Sequence, residues 1–235
     1  MDSLTLRRRA HRVHRWLGVA VGLQVFAWLA GGLVMTALPI ERVRGEHKIA
    51  EAAPAAFDPA RVIPFEAAAS AAGMDLVASG RLTTLLDRPA WLVEAPDGGV
   101  VLIDARTAAR LSPLDEATAT AVAIADYAGP GTLASLRLLD DPPTEYARPG
   151  PVWQAVFDDA DRATLYVSPD TGAVTARRGR TWRVFDFAWR LHVMDYDDGA
   201  DFNHPLVQAA AGAGTLFALS GLTLIGLRWR RGRLA

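Results

Sequence analysis

The sequence predicts an α+β protein: two duplicated modules, each a helix plus an antiparallel sheet, anchored by two antiparallel transmembrane helices. Three observations predict it. Two apolar runs, Trp16–Ile40 and Pro205–Leu227, carry no charge, and each exceeds the ~20 residues that cross a hydrocarbon core. Between them, strand-like runs recur with matching turns, the two copies offset by about 62–64 residues. The stretch Trp182–Leu206 then spaces Trp182, Phe185, Trp189, His192 and Tyr196 three or four apart, the signature of an amphipathic aromatic helix.

Composition removes whole classes of chemistry. The 25 basic and 26 acidic residues leave a net charge of -1, which gives no general attraction to nucleic acid. There is no cysteine, so disulfides, zinc–thiolate sites and thiolate nucleophiles are excluded. The sequence contains no G-x-S-x-G or H-E-x-x-H hydrolase pattern and no glycine-rich nucleotide loop. An activity of its own would need a bound cofactor.

Residues 1–15 read as a basic tail, with Arg7, Arg8, Arg9, Arg12 and Arg15 before the first span (16–40). Arg228, Arg230, Arg231 and Arg233 follow the second (205–227), in a tail of residues 228–235. Positive charge stays inside, so both termini are expected in the cytoplasm and residues 41–204 in the periplasm of a bacterial inner membrane. A cleaved signal peptide is the competing reading of the first run, but its apolar stretch is longer than a signal core of ~7–15 residues. Gly18, Gly22, Gly31, Gly32 and the small residues from Ala209 to Gly214 fit packing of the spans against each other or against a second copy.

Residues 41–60 read as an Ala- and Pro-rich linker, with His47 solvated beside Lys48. The first module, 61–130, opens with a helix from Phe65 to Ala72 ended by Gly73. Strands are expected at Arg81–Leu86, Ala90–Glu94 and Val100–Asp104, the last two joined by the turn Pro96-Asp97-Gly98-Gly99. A second helix is expected from Asp115 to Tyr127. The second module, 131–180, answers with Trp153–Phe157, the turn Asp158–Asp161, and a strand from Leu165 into a Thr-containing turn. In residues 181–204, Asp186 and Arg190 are spaced to pair along the helix, and Arg183 and Arg190 are expected to be more exposed than the aromatic stripe. The acids Asp195, Asp197, Asp198 and Asp201 start like a calcium loop. Gly199 falls one position early, however, and Leu206 stands where a bidentate Glu belongs, so a solvated acidic loop is expected.

The hairpin Leu165–Val174 (LYVSPDTGAV) resembles the signature of the PepSY domain, a small α+β module named from peptidase propeptides. His14–Gly18 (HRWLG), leading into Gly31-Gly32-Leu33, resembles the PepSY-associated transmembrane family. Leu191–Tyr196 (LHVMDY) and Phe202–Leu206 (FNHPL) are similar to the two-span branch of that family. The resemblance covers nearly the whole chain, and the first module departs from the signature at Ala108, where a glycine is expected.

The resemblance implies two kinds of work. PepSY modules in propeptides bind and restrain peptidases. Larger relatives with four spans include ferric-siderophore reductases that carry haem b between membrane histidines. The first kind implies a non-catalytic periplasmic module that restrains a peptidase or tethers an envelope partner. The second implies a haem-linked accessory protein of iron or siderophore handling; this is the leading expectation, and the binding module is the alternative.

For haem, His192 and His204 are the expected ligands, with Trp189 and Tyr196 against the porphyrin. His14 lies a membrane thickness away and would serve only a second site, shared with another chain of a homodimer or with a membrane or periplasmic protein partner. The competing reading is interfacial: Trp, Tyr and His gather where the lipid bilayer meets water without any cofactor. His11 and His14 share a helix face beside the arginines and read the same way.

Overall fold

In a computed structural model, residues 3–51, 56–197, 199–201 and 203–232 are described, with backbone alone for 3–14, 17, 220–221, 223–228 and 230–232. The chain divides into two units, Ile40–Arg183 and the pair of segments Met1–Pro39 and Val184–Ala235.

The first unit begins with a short helix, α2 (Ile40–Val43), and a 3-10 turn at Glu46–Lys48. The chain from 41 to 50 is therefore not free linker. Ile49 bridges Tyr127, and the Ala128 N–H donates to the Lys48 carbonyl at 2.9 Å. Helix α3 (Phe65–Ala72) follows and ends at Gly73, whose φ of 70° is the left-handed cap that glycine adopts without penalty. Strands β1 (Ser79–Leu85), β2 (Arg88–Glu94) and β3 (Val100–Asp104) form an antiparallel sheet in that order. The β2–β3 turn closes through the Ala95 N–H to the Gly99 carbonyl, with Gly98 left-handed as the sequence anticipates.

Helix α4 (Glu116–Asp126) is capped by Asp115, which accepts the Thr118 N–H at 2.8 Å. A four-stranded antiparallel sheet follows, β4 (Leu133–Leu139), β5 (Val152–Phe157), β6 (Thr164–Val167) and β7 (Val174–Arg178). β4 is absent from the sequence reading. Helix α4, read from sequence as the end of the first module, packs on this second sheet.

Alternation along the strands sorts side chains into layers. Ala90, Leu102, Trp153, Ala155, Phe157, Leu165 and Val167 meet Ala119, Val122 and Ala123 of α4 in one core that contains residues of both sheets. Val93, Val101 and Ile103 turn the other way, onto Ala68 and Ala72 of α3. Tyr166 and Val152 face outward, under Tyr146. β6 is buried on both faces, and β3 nearly so.

The two sheets repeat one set of bonds. Ile63 donates its N–H to the Ala105 carbonyl at 2.8 Å, and its carbonyl accepts from Trp91 Nε1 at 3.0 Å. Leu114 donates to the Pro169 carbonyl at 2.7 Å and accepts from Trp153 Nε1 at 3.1 Å. Ile63 and Leu114 each stand two residues before a helix. The turns after β3 and β6 also match. The Asp104 N–H reaches the Ala109 carbonyl, and the Ser168 N–H reaches the Ala173 carbonyl. Ala108 (φ 60°) takes the left-handed position that Gly172 (φ 67°) takes in the second turn.

The second unit contains α1 (Ser3–Ala37) and α6 (Pro205–Gly232), with α5 (Arg180–Val193) entering it at Val184. The basic tail is continuous with the first apolar run in one helix of 35 residues. Among the described residues one segment, Gly18–Ala37, is long and apolar enough to cross a membrane, and Pro205–Leu219 is a shorter apolar stretch. The two helices run antiparallel: a Cβ on Gly18 would meet Phe217 at 3.4 Å, and one on Gly214 would meet Val21 at 4.0 Å.

An alanine forced left-handed stores strain that glycine does not, partly offset by the greater freedom of unfolded glycine. Ala108→Gly is therefore expected to stabilise the protein by roughly 0.5–1 kcal/mol. Gly172→Ala should destabilise it by more, because its Cβ would sit 2.4 Å from Leu85 Cδ1. Apparent melting temperatures in detergent check this, and a lower melting temperature for Ala108→Gly would refute the strain.

Candidate functional site

Histidine and aromatic residues of α5 are placed by one close contact. Gly31 of α1 lies under α5 so tightly that a Cβ there would stand 3.1 Å from the Ala188 carbonyl. The same imagined Cβ would be 3.9 Å from His192 Cβ. His192 Nδ1 is buried and has no hydrogen-bond partner. Helix α5 stops at Val193 because Met194 turns left-handed (φ 58°).

The loop after it is held by α5 itself. Trp189 Nε1 donates to the Gly199 carbonyl at 2.9 Å, and an Arg190 guanidinium N–H donates to the Asp197 carbonyl at 2.7 Å. Asp195, expected to be solvated, is buried and accepts the backbone N–H groups of Asp197 and Asp201 at 3.2 and 3.1 Å. These carboxylate–amide bonds account for it as a loop anchor.

Other expected positions move. Tyr196 lies beyond the helix end and is 59% exposed, so it leaves the stripe. Phe187, outside the stripe, is 71% exposed. Arg183 and Arg190 are not the exposed pair. Arg190 sits 2.8 Å from Asp186, as the spacing predicts, although its N–H is not aimed at the oxygen. Arg183 grips Glu145 through Nε at 2.8 Å. His204 caps α6, its Nδ1 accepting the Leu206 N–H at 3.3 Å. His47 is exposed, as expected. The side chains of His11 and His14 lie outside the described residues, as do Asp198, Phe202 and Arg233.

These positions bear on haem. One histidine, His192, offers a buried nitrogen without a partner. His204 has one ring nitrogen committed to its cap, and Trp189 is committed to the loop. That leaves one buried, open histidine nitrogen among the described residues, short of the pair that a bis-histidine haem needs. Among the described residues no second histidine nitrogen is both buried and open.

A groove opens between α1 and α6. It holds about 250 Å³ and is lined by Ala20, Gln24, Trp28, Met194, Ala210 and Gly214, among others. Gln24 Nε2 and Trp28 Nε1 are buried there without acceptors.

The strongest electrostatic cluster lies in the first unit, at residues the sequence does not single out. Lys48 Nζ donates to Asp159 at 2.5 Å and to Asp161 at 2.9 Å. The Tyr127 hydroxyl donates to Asp159 at 2.7 Å, and the Ala163 N–H to its other oxygen at 2.8 Å. Burial alone would raise both carboxyls, but the Lys48 ammonium outweighs it, helped at Asp159 by these donors and at Asp161 by the Thr181 and Arg180 N–H groups, and both are held below the usual range. Burial would lower Lys48, and the two carboxylates more than offset it, so its pKa is raised. Burial and Asp159 push the Tyr127 hydroxyl up to about 12. The cleft beside the cluster holds about 20 Å³, room for one water, so the cluster is a fastening rather than a binding site. Glu145 is a second fastening. Burial would raise it, but Arg183, the Tyr166 hydroxyl at 2.9 Å and Arg178 hold it low, which ties the first turn of α5 to the sheet.

Lys48→Ala leaves Asp159 buried at 1% side-chain exposure without its cation. A loss of roughly 3–5 kcal/mol is expected. Depressed carboxylates stabilise the fold above their unfolded values near ~4 and lose that contribution as pH falls through their folded values. The raised Lys48 and Tyr127 stabilise below ~10 and lose it above. Stability should therefore form a plateau between those limits, and Lys48→Ala should move the acid midpoint to higher pH. An unchanged acid midpoint by circular dichroism would count against the cluster.

Searches among curated proteins and among solved structures find no match to this chain. A family model described as PepSY-associated TM region matches residues 11–235. That span includes the arginine-flanked helix α1, the two sheets, and the α5–α6 segment with His192 and His204, so the chain belongs to the PepSY-associated transmembrane family.

Proposed function

We propose that the chain is a two-span bacterial inner-membrane protein. In this reading it holds a duplicated PepSY region outside the cytoplasm as a non-catalytic binding module for an envelope partner. The observation that carries the binding role is an open groove of about 550 Å³ along α3, lined by Phe65, Glu66, Ala69, Ser70, Met74 and Val77 among others. Leu76 adjoins it at 74% exposure. The groove's lining mixes apolar Phe65, Met74 and Val77 with polar Glu66, Ser70 and Asp75, the mixed make-up of a non-obligate contact surface. Duplication is supported by the paired bonds at Ile63 and Leu114 and by the matched turns at Ala108 and Gly172. The two-span topology is supported by the antiparallel contact of α1 with α6 and by the arginines at both ends of the chain.

One observation favours a second reading, the haem-linked handling of iron or siderophores. His192 Nδ1 is buried and unpartnered, as a histidine awaiting a ligand would be. The second axial ligand would come from a second copy or another membrane protein. Bound haem would supply one-electron chemistry, and the chain's own part would be to hold His192 in place through the Gly31–Ala188 contact.

Reporter fusions after residue 60 should be active outside the cytoplasm, and fusions at Ala235 inside; a C-terminus outside would remove the two-span topology. A photo-crosslinker at Leu76 should capture a discrete envelope protein, with Leu76→Asp abolishing a co-purifying complex. Absence of any crosslink, together with a bis-histidine reduced-minus-oxidised spectrum that His192→Ala abolishes, would overturn the binding reading in favour of haem.

A further inference from the structure

The groove between α1 and α6 carries a chemical demand that no described residue meets. Gln24 and Trp28 are one helical turn apart on α1, and both line the groove. Each has a buried side-chain N–H without an acceptor. The remaining lining is Ala20, Val21, Val25, Met194, Ala210, Ala213 and Gly214, which offers no side-chain oxygen. In hydrocarbon an unpaired donor is costly, because neither water nor lipid tails replace the missing bond.

Depth decides what can answer it. Along a helix rising about 1.5 Å per residue, Trp28 lies about 15 Å from Gly18 and about 14 Å from Ala37, the ends of the apolar segment. Trp28 is therefore at mid-span. Phospholipid ester carbonyls sit at the edges of a hydrocarbon core of ~30 Å and do not reach this level. The backbone carbonyls of α6 are engaged along their own helix. A single bridging water would accept from both donors yet find no side-chain acceptor for its own hydrogens among the other lining residues. A carbonyl-bearing molecule dissolved in the bilayer interior answers both donors without that deficit.

We propose that this groove binds the head group of a lipid-soluble quinone. One ring carbonyl would accept from Trp28 Nε1 and Gln24 Nε2. The flat apolar ring would lie against Ala20, Ala210 and Gly214, and the isoprenoid tail would leave into lipid. The volume of about 250 Å³ falls just below the ~300–1,000 Å³ of ordinary ligand pockets, which suits a single ring with its tail outside. The small residues are what keep the groove open. The step is binding alone.

The test uses the full chain in phosphatidylglycerol nanodiscs, titrated with decylubiquinone. Tryptophan quenching and extracted quinone per protein are both measured. Wild-type protein should quench saturably and retain close to one quinone. Ala210→Leu, which fills the groove, should lose the saturable part, and Gln24→Leu should weaken binding about tenfold. Leu29→Ala, on the exposed face of α1, should change neither. Quenching that rises linearly and equally in wild type and Gln24→Leu would overturn the proposal. So would extraction of a stoichiometric phospholipid that decylubiquinone cannot displace, which would assign the groove to an acyl lipid. The proposal rests on α1 lying in the bilayer. The fusion experiment tests that separately, so linear quenching in a correctly inserted protein removes the quinone and leaves the topology standing.

Discussion

The residue two positions before each of α3 and α4 is held from two sides, and the layering of the unit depends on that grip. Leu114 donates to Pro169 in the turn after β6 and accepts from the Trp153 indole on β5. Ile63 does the same with Ala105 and Trp91. Each helix is thus fixed at its start to two neighbouring strands of one sheet, which sets where its small-residue face lands. On α4 that face is Ala119 and Ala123, and on α3 it is Ala68 and Ala72. Alanines let helix and sheet approach closely, so the large side chains that fill the layers come from the strands. A tryptophan is suited to the central strand because it contributes apolar area and one donor, and the donor is spent on the backbone group that would otherwise be orphaned.

The fastening at Lys48 works on a different balance. One ammonium faces two carboxylates, so the cluster is held together only because backbone N–H groups and the Tyr127 hydroxyl share the excess negative charge. Such buried arrangements are poor sources of net stability but costly to break, and their geometry admits few alternatives. Here the alternative excluded is a free segment before residue 51. The side chain of Lys48 joins residues more than a hundred positions away, which makes the 46–50 segment part of the sheet unit.

This distance in sequence explains which features were legible. The strands β2, β3 and β5 show in alternation, and the turns at Gly98 and Gly172 show in glycine placement, because both signals are local. β4 (Leu133–Leu139) is a partly exposed edge strand with weak alternation, and nothing nearby marks it. The acids at 158–161 read as an ordinary turn, and Lys48 lies in a stretch that reads as linker, because neither segment carries any trace of the other. Tyr196 fits the helical spacing but is cut off by the left-handed turn at Met194, a position where neither glycine nor asparagine gives warning. Arg183 falls on the polar face by spacing yet is drawn to Glu145, which arrives from a different element. His192 was legible as a candidate. That its nitrogen is buried and unanswered became visible only once Gly31 and Ala188 were in contact.

The contrast between the two units is the strongest guide to where chemistry resides. In the sheet unit Asp159 is answered by Lys48, Tyr127 and Ala163, and the Glu145 carboxylate by Arg183 and Tyr166. Among the described residues, the buried side-chain atoms without a hydrogen-bond partner all belong to the helical unit: Gln24, Trp28, Arg190 and His192. Arg190 has its charge partner in Asp186. The other three are a donor pair on α1 and an imidazole on α5, set where small residues bring the helices close or hold them apart. A folded protein carries such groups at a cost, and the cost is greatest in a low-dielectric medium. The sheet unit is chemically complete in itself and suits recognition by its surface. The helical unit is where the unanswered polar atoms lie, so it is there that the proposed ligands would act.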